Sequence, residues 1–312
     1  MKIVIVDPSR VVQKILSGTL ENAGHEVVCL SDGLLALEHL RDDDRVDVLV
    51  TSLQPRGLSG LDLVRRARGL CGSRRALYVL VMSSSSERSV LVEALDSGAD
   101  DFIGKPPAEE ELLARMRVAK RVAGLQRELI RLATIDSMTG VFNRRAFFEL
   151  SALAVRSATD AVAIFDIDRF KHINDTFGHA AGDEAIIAVT RAAAARCLRI
   201  GRLGGEEFGM LMPGADLAQA VALCDAIRLD VEKLTFEAIS PGLRITCSFG
   251  VSEWRPNESI DEALKRADVA LYAAKAAGRN RVEAEIEIGA QAASDAASLD
   301  GVRTRSVRHA TR

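Results

Sequence analysis

The sequence RLGGEEFGMLMPG, residues 202–214, decides the fold of the second half of this chain. Short extended runs flank its glycine pair, and glycine tolerates the positive φ of a tight turn, so the segment predicts a β-hairpin. We expect Glu206 and Glu207 at the turn of this hairpin rather than inside a sheet. Upstream, AVAIFDID, residues 161–168, predicts a buried strand followed by Asp166 at its end.

Acidic side chains therefore converge from the ends of two predicted strands. Neither segment contains a cysteine or a histidine, and an all-oxygen set of this kind suits Mg²⁺ together with a phosphate-bearing substrate. A glycine-rich hairpin with two exposed glutamates is also a common structural turn. The hairpin alone therefore leaves a purely structural role open.

Further motifs accompany the hairpin in a definite order. They are DSMTG (136–140), NRR (143–145), FKHIND (170–175), GH (178–179), GD (182–183), ADVALY (267–272) and KAAGRNR (275–281). In this order and spacing, residues 134–284 resemble the GGDEF family of diguanylate cyclases. Because many separate motifs agree, the resemblance outweighs the structural interpretation of the hairpin.

The resemblance implies an enzyme that condenses two GTP molecules into cyclic di-GMP and releases two pyrophosphates, with Mg²⁺ or Mn²⁺ as the cofactor. Each domain would hold one GTP and the product is two-fold symmetric, so catalysis would require a homodimer. The alternative function is a non-catalytic GGDEF module that senses GTP or recruits a partner.

The resemblance also assigns roles to individual residues of the site. The metal ligands would be Asp166, the backbone carbonyl of Ile167, and Glu206. Asp166, Glu206 and Glu207 would be catalytic, with Glu207 either binding metal or assisting deprotonation of the attacking hydroxyl. The substrate-binding residues would be Gly204, Gly205, Phe170, Lys171, Lys275 and Arg279 around the phosphates, and Asn174 and Asp183 at the guanine.

Two further expectations follow from the family pattern. Many members carry an Arg-x-x-Asp motif before the hairpin that binds product and inhibits, but here its positions are Ala195 and Leu198. We therefore expect no product-inhibition site. We also expect Asp136 and Arg144 to form a hinge contact between the stalk and the domain.

The first half of the chain alternates apolar strand patterns with amphipathic helix patterns. The predicted strands are Lys2–Val6, Glu26–Leu30, Val46–Val50, Ala76–Met82 and Asp101–Ile103. Such alternation predicts a doubly wound five-stranded parallel sheet, an α/β fold. This half resembles a response-regulator receiver domain, with Asp7, Ser83 and Lys105 at positions where that family keeps an acid, a hydroxyl and a lysine.

This receiver-like half departs from its family at the phosphorylation site. Ser52 stands at the phosphoacceptor position, or Thr51 in an alternative register, and Pro8 replaces the second acidic residue. Aspartyl phosphorylation requires a carboxylate nucleophile beside carboxylate-held Mg²⁺. We therefore expect a degenerate receiver that does not accept phosphate and is governed by other means, a regulatory protein being one candidate partner.

The sequence predicts four segments. They are a receiver-like domain at 1–107, a linker helix at 108–134, an α+β cyclase-palm GGDEF domain with a mixed or antiparallel sheet at 135–286, and a disordered tail at 287–312. The linker repeats apolar residues at alternating spacings of four and three. This pattern fits either a coiled-coil stalk of a parallel dimer or a helix packed on its own domain.

Composition limits the remaining possibilities. The chain has 312 residues, of which 48% are hydrophobic and 27% charged. Its net charge of −3 gives no indication of the excess positive charge typical of nucleic-acid-binding proteins. No apolar run reaches the roughly 20 residues of a membrane span. Five scattered cysteines without CxxC spacing indicate reduced thiols. We expect a cytoplasmic protein that does not span a membrane and does not bind nucleic acid.

Overall fold

The computed structural model describes residues 1–72, 75–85, 88–152, 159–237, 239–240 and 242–285. The chain divides into two compact units, Met1–Ala133 and Thr134–Arg312. The tail predicted at 287–312 lies outside the described residues. In the described part of the chain, no helix combines the length and the apolar character that a bilayer crossing requires.

The first unit contains one five-stranded sheet with helices on both faces. Its strands are β1 (Lys2–Val6), β2 (Glu26–Leu30), β3 (Val46–Ser52), β4 (Tyr78–Ser83) and β5 (Asp101–Gly104); its helices are α1 (Arg10–Asn22), α2 (Gly33–Asp42), α3 (Gly60–Cys71), α4 (Arg88–Asp96) and α5 (Glu109–Thr134). The order β2-β1-β3-β4-β5 is parallel throughout. This confirms the predicted doubly wound α/β sheet.

The apolar runs of this unit form its strands because both sheet faces are covered. One core lies against α2, α3 and α4, and a second lies against α1 and the first half of α5. Side-chain caps fix three helix starts, with Ser9, Asp32 and Ser59 each accepting a hydrogen bond from the first helical turn. The sequence thus places every strand of the sheet to within about two residues.

Helix α5 has two different halves. Leu112, Met116, Ala119 and Ala123 in its first half are buried in the unit core. In its second half Leu125, Leu129 and Leu132 are 62%, 66% and 59% exposed. Their spacing of four and three places the leucines on one stripe of the helix.

The second unit contains a six-stranded mixed sheet. Its strands are β6 (Phe142–Asn143), β7 (Asp160–Ile167), β8 (Ile200–Gly204), β9 (Glu207–Pro213), β10 (Cys247–Glu253) and β11 (Val282–Ala284); its helices are α6 (Arg144–Ala152), α7 (Phe170–Phe177), α8 (His179–Ala194), α9 (Leu217–Glu232) and α10 (Ile260–Ala276). The order is β11-β10-β7-β9-β8-β6. The central pairs are antiparallel and the two outer pairs are parallel, which confirms the predicted mixed sheet.

A stack of three aromatic rings holds the centre of this sheet. Phe165 of β7 is directly opposite Phe208 of β9 and Phe249 of β10, and both ring centroids lie 4.9 Å from its own. All three side chains are fully buried. Aromatic pairs facing each other across strands stabilise one register of the sheet.

Gly250 of β10 provides a test of how closely α10 packs on the sheet. A Cβ at this position would overlap the Ala267 carbonyl oxygen and the Leu271 backbone nitrogen. Gly250→Ala should therefore destabilise the second unit by about 2 kcal/mol or more, because helix backbone would have to shift. The urea midpoint, followed by fluorescence of Trp254, measures this; that residue is the chain's single tryptophan and is buried in this unit.

The matched control is Gly204→Ala in the same unit. Among the described residues, no atom lies within 4 Å of a Cβ built at Gly204, so the free energy of unfolding should change by less than about 0.5 kcal/mol. Equal midpoints for Gly250→Ala and the wild type would contradict the close packing of α10.

Candidate active site

The hairpin at the centre of the site joins β8 to β9 through Gly205 and Glu206. Gly205 has φ +43°, a region that glycine enters at little steric cost. Glu206 lies in the turn as expected, but Glu207 is the first residue of β9 and is paired with Asp166 of β7. The expectation that both glutamates lie in the turn is therefore wrong: the turn uses two residues, and the ladder resumes at Glu207.

Asp166 lies at the carboxyl end of β7 and forms an ion pair with Lys275 of α10, with Nζ 2.9 Å from Oδ2. Burial is the largest influence and raises the pKa of the Asp166 carboxyl; Lys275 lowers this pKa, and the charges of Glu206 and Asp168 raise it. The net effect is a raised pKa. Asp166 is thus a half-buried acid whose charge is only partly compensated.

Glu207 has the same electrostatic character. Burial raises the pKa of its carboxyl first, and the negative charges of Asp268 and Asp166 raise it further. Lys275 and Arg144 act in the opposite direction without cancelling the rise. Several carboxylates therefore share two nearby cations, so the site has an excess of negative charge that favours a bound cation.

The donor set is all oxygen, the type that Mg²⁺ prefers. Among the described residues, no three Asp, Glu, His or Cys side chains are close enough together to hold a metal ion by themselves. The proposed ligands are two carboxylates, Asp166 and Glu206, and the carbonyl of Ile167, whose backbone nitrogen donates to the Glu206 carbonyl at 3.4 Å. Such a partial set fits Mg²⁺, which keeps several waters and shares substrate phosphates.

A second part of the site lies between α7 and α8. The Oδ1 atom of Asn174 is buried and has no hydrogen-bond partner among the residues that the structure describes. Gly182 of α8 faces it, and a Cβ there would overlap this oxygen. Asp183 follows on the exposed side of α8. A buried acceptor without a donor is costly, so this oxygen is suited to a ligand N–H.

Residues expected at the phosphates lie at two left-handed turns. Arg169 has φ +55° and precedes α7, so the first helical residues Phe170 and Lys171 follow directly from the end of β7. Phe170 is half-buried, and Lys171 is exposed. Arg279, φ +67°, lies in the turn after α10 and is exposed. Both turns present cationic side chains to solvent beside the acidic site.

Asp136 and Arg144 each contact a residue of β8, and the hinge contact expected of them between the stalk and the domain stays a prediction. Asp136 pairs with Arg202 of β8 at 3.2 Å, while Arg144 donates to the Leu203 carbonyl at 3.0 Å. Burial raises the pKa of Asp136, but hydrogen bonds from Thr139 and the charge of Arg202 lower it more, so the net shift is downward. Both residues hold β8, and Arg144 additionally influences Glu207.

Sequence reasoning missed three residues of the site. Asp268 raises the pKa of the Glu207 carboxyl and Arg144 lowers it, while Asp168 accepts three hydrogen bonds from two other segments. Asp168 and Asp268 stand inside quoted motifs, so a signal was present. The motifs do not show where each side chain points, because this depends on contacts between elements that are distant in the sequence.

In the first unit, the structure places the receiver-like residues at the ends of β1, β3, β4 and β5. Asp7 is buried and forms an ion pair with Lys105, and it accepts a hydrogen bond from the Ser9 backbone at 2.9 Å. Within the described part of the chain, the buried Oγ of Ser52 has no hydrogen-bond partner. Ser83, also buried, accepts from the Ser85 backbone. The lysine thus neutralises the acid at this edge.

The two positions of the missing inhibitory motif lie at the end of α8. Ala195 is the residue that caps α8, and Leu198 is 93% exposed. The neighbouring Arg196 pairs with Asp230 of α9 at 2.5 Å. Absence of product inhibition remains a prediction.

Comparison with known proteins links both units to known families. Residues 133–281 match the family model described as diguanylate cyclase, GGDEF domain, and residues 3–117 match the response regulator receiver domain. Diguanylate cyclase DgcM of Escherichia coli K12 is 43% identical over 169 residues, which are 51% of this chain and 40% of DgcM. Response regulator PleD of Caulobacter vibrioides is 36% identical over 256 residues, 76% of this chain and 56% of PleD.

The chain thus spans 40% and 56% of these two curated relatives. Among solved structures, it resembles the coiled coil and GGDEF domain of DgcB from Caulobacter crescentus, determined in complex with c-di-GMP. That similarity has a TM-score of 0.51 and 32% identity, and it covers 56% of this chain and 98% of the other.

The raised pKa of Glu207 predicts a pH-dependent effect on stability. Because the pKa of Glu207 is higher in the folded than in the unfolded chain, its ionised form lowers the free energy of unfolding at high pH. This destabilisation decreases as the pH falls through the folded pKa and is absent below the unfolded pKa. Glu207→Gln should therefore raise the melting temperature at pH 7.5 by roughly 1–2 °C, a small shift because the side chain is partly screened by water. This gain should vanish near pH 4.

Thermal unfolding without nucleotide or metal, followed by Trp254 fluorescence, provides the measurement. Glu237→Gln, at an exposed position of the same unit, is the control and should leave the melting temperature unchanged at both pH values. A wild type more stable than Glu207→Gln at pH 7.5 would show that the Glu207 charge is favourable.

Proposed function

We propose that this chain, whose residues 133–281 belong to the diguanylate cyclase GGDEF family and residues 3–117 to the receiver family, condenses two GTP molecules into cyclic di-GMP. In each of two steps, a ribose 3′-oxygen bonds to the α-phosphorus of the other nucleotide. The bond from that phosphorus to the β-phosphate oxygen breaks, and pyrophosphate leaves. The observation that carries the proposal is the β7–β9 pairing, which places Asp166 opposite Glu207 with Glu206 in the adjacent turn.

Asp166, Glu206 and the Ile167 carbonyl would hold Mg²⁺ or Mn²⁺. When bound, the metal supplies positive charge that offsets the triphosphate and favours departure of pyrophosphate. Lys275 and Arg279 supply further positive charge for the phosphates, together with Lys171 and the first backbone amides of α7 at Phe170.

Glu207 is the proposed acceptor of the 3′-hydroxyl proton. A general base works best when its pKa is near the operating pH, and the raised pKa of Glu207 moves it in that direction. Its partial exposure leaves room for the hydroxyl of a nucleotide held by a second domain. Lys275 and Arg144 lower the pKa of Glu207 and so act against this rise.

Guanine selection rests on the pocket between α7 and α8. The unpartnered Oδ1 of Asn174 requires a donor, and the guanine edge offers N–H groups where adenine offers an acceptor at N1. Asp183 would accept from the same edge. The glycine at 182 leaves room for the Asn174 side chain, since a Cβ there would overlap its Oδ1 atom.

The reaction requires two facing domains, since one domain holds one GTP and the product has two-fold symmetry. The stripe of Leu125, Leu129 and Leu132 on α5 is the candidate dimer contact. Exposed leucines at coiled-coil spacing are stabilised by an equivalent stripe on a second helix. We therefore propose a parallel stalk between two copies of the chain.

The receiver-like unit would regulate without accepting phosphate. Lys105 already neutralises Asp7, and Ser52 offers a hydroxyl where a carboxylate nucleophile is needed. Control would then come through the stalk or through a regulatory protein on this unit.

Activity provides the direct test. Purified chain incubated with GTP and Mg²⁺ should form cyclic di-GMP, and Glu207→Gln should lower the rate about 10²–10⁴-fold, the range for loss of a general base. Glu206→Gln should also lose activity, and additional Mg²⁺ should partly restore it, since its role is metal binding. Product is quantified by chromatography, with Glu237→Gln as the control of unchanged rate. No product from the wild type would favour the non-catalytic GTP-binding module.

Phosphorylation of the receiver-like unit is tested separately. The chain incubated with acetyl phosphate and Mg²⁺ should gain no phosphoryl group by intact-protein mass spectrometry, because Ser52 cannot form an acyl phosphate. A receiver with an intact acidic site is the positive control. A hydroxylamine-labile adduct would contradict the degenerate assignment, and a hydroxylamine-resistant adduct at Ser52 would show a stable ester.

A further inference from the structure

Asp168 is a buried carboxylate that connects three segments of the second unit. It lies just after β7, two residues beyond Asp166, and is 7% exposed. Its Oδ1 accepts from the Ser248 hydroxyl at 2.7 Å, and its Oδ2 accepts from the Thr246 hydroxyl at 2.7 Å and the Asn280 backbone N–H at 3.0 Å. The end of β7, the start of β10 and the turn after α10 thus meet at one side chain.

The turn after α10 has an unfavourable backbone conformation. Gly278, Arg279 and Asn280 have φ of +115°, +67° and +47°, and such values are rare for residues with a side chain. Strained backbone persists only where surrounding contacts hold it. Here the Asn280 side chain is held by Arg228 at 3.1 Å and Glu232 at 3.0 Å, both on α9, and its backbone is held by Asp168.

A second left-handed residue follows Asp168 itself. Arg169 has φ +55° and connects β7 to α7. The Asp168 backbone N–H donates to the Thr246 carbonyl at 2.9 Å, so the chain is anchored immediately before this turn. Asp168 therefore stands between the two left-handed turns of the site, one leading to Phe170 and the other containing Arg279.

We propose that Asp168 is a positioning residue that fixes the Arg279 turn against the end of β7. Through it, Arg279 and Asp166 act on the same bound nucleotide, although Asp168 itself touches neither substrate nor metal. This inference deepens the proposed function and rests on its assignment of a nucleotide site. It predicts that Asp168 contributes to nucleotide affinity through Arg279.

Asparagine is the informative replacement. The Asp168 carboxylate accepts from three donors, whereas an asparagine offers one oxygen and an amino group that itself donates. In Asp168→Asn, the new amino group can donate to the Ser248 hydroxyl, which also accepts, and the Asn280 N–H then donates to a neutral amide oxygen, a weaker acceptor than the charged carboxylate. The shape of the side chain is kept while the bond to the Asn280 turn is weakened.

The experiment is a double-mutant cycle on the full chain with Asp168→Asn, Arg279→Ala and their combination. Affinity for 3′-deoxyGTP, which lacks the attacking hydroxyl and cannot condense, is measured by calorimetry with Mg²⁺. Each single variant should bind about 10-fold more weakly than the wild type. The double variant should bind no more weakly than Arg279→Ala, because both changes remove the same interaction.

Ser248→Ala is the matched control. It removes the Oδ1 hydrogen bond and keeps the bond to Asn280, so affinity should stay within about two-fold of the wild type, whatever happens to the melting temperature. Should Asp168→Asn unfold at the assay temperature, Asp168→Glu replaces it, and the same non-additivity with Arg279→Ala is expected.

Two results would overturn the proposal: wild-type affinity in Asp168→Asn, or effects that add fully in the double variant, as a general loss of packing would produce. GTP turnover is measured alongside. A wild type that binds the analogue but makes no cyclic di-GMP would refute the cyclase function and leave the cycle valid as a test of Asp168. A wild type that does not bind the analogue would refute both.

Discussion

The register of β7 against β9 is the constraint on which the candidate site depends. Phe165 stacks on its neighbours in β9 and β10, and a slip of one residue would turn these rings out of the core. Asp166 and Glu207 are the next pair in that register. Core packing thus fixes two acids beside each other at the edge of a buried region, where limited water raises the pKa of both carboxyl groups.

The fold could be predicted from the sequence because its strands are apolar runs and its hairpin has a glycine turn, both of which are local signals. The position of Glu207 in strand β9 could not be predicted, because the sequence does not show where the hairpin turn ends and strand pairing begins again. The pairings of Asp136 with Arg202 and of Asp166 with Lys275 join residues distant in the chain. Local patterns contain no information on such partners.

The two units differ in what their sequence could show. In the receiver-like unit, the sequence shows directly that Ser52 stands where an acidic nucleophile would be expected. The ion pair between Asp7 and Lys105, by contrast, is seen only in the folded structure. In the second unit the acids are visible in the motifs. The three hydrogen bonds that orient Asp168 come from two distant segments and became visible only in the structure. Motifs identify the chemistry, and tertiary contacts determine its geometry.

The crowded carboxylates around Asp166 and Glu207 also affect how long the folded chain survives. A site with uncompensated negative charge is least stable when empty, and a ligand that binds only the folded state adds RT ln(1 + [L]/Kd), about 2.7 kcal/mol at a hundred-fold excess over Kd. If the proposed nucleotide binds here together with its metal, resistance of the second unit to proteolysis should rise with the nucleotide concentration. The rate at which the protein is degraded would then depend on how much of that ligand is present.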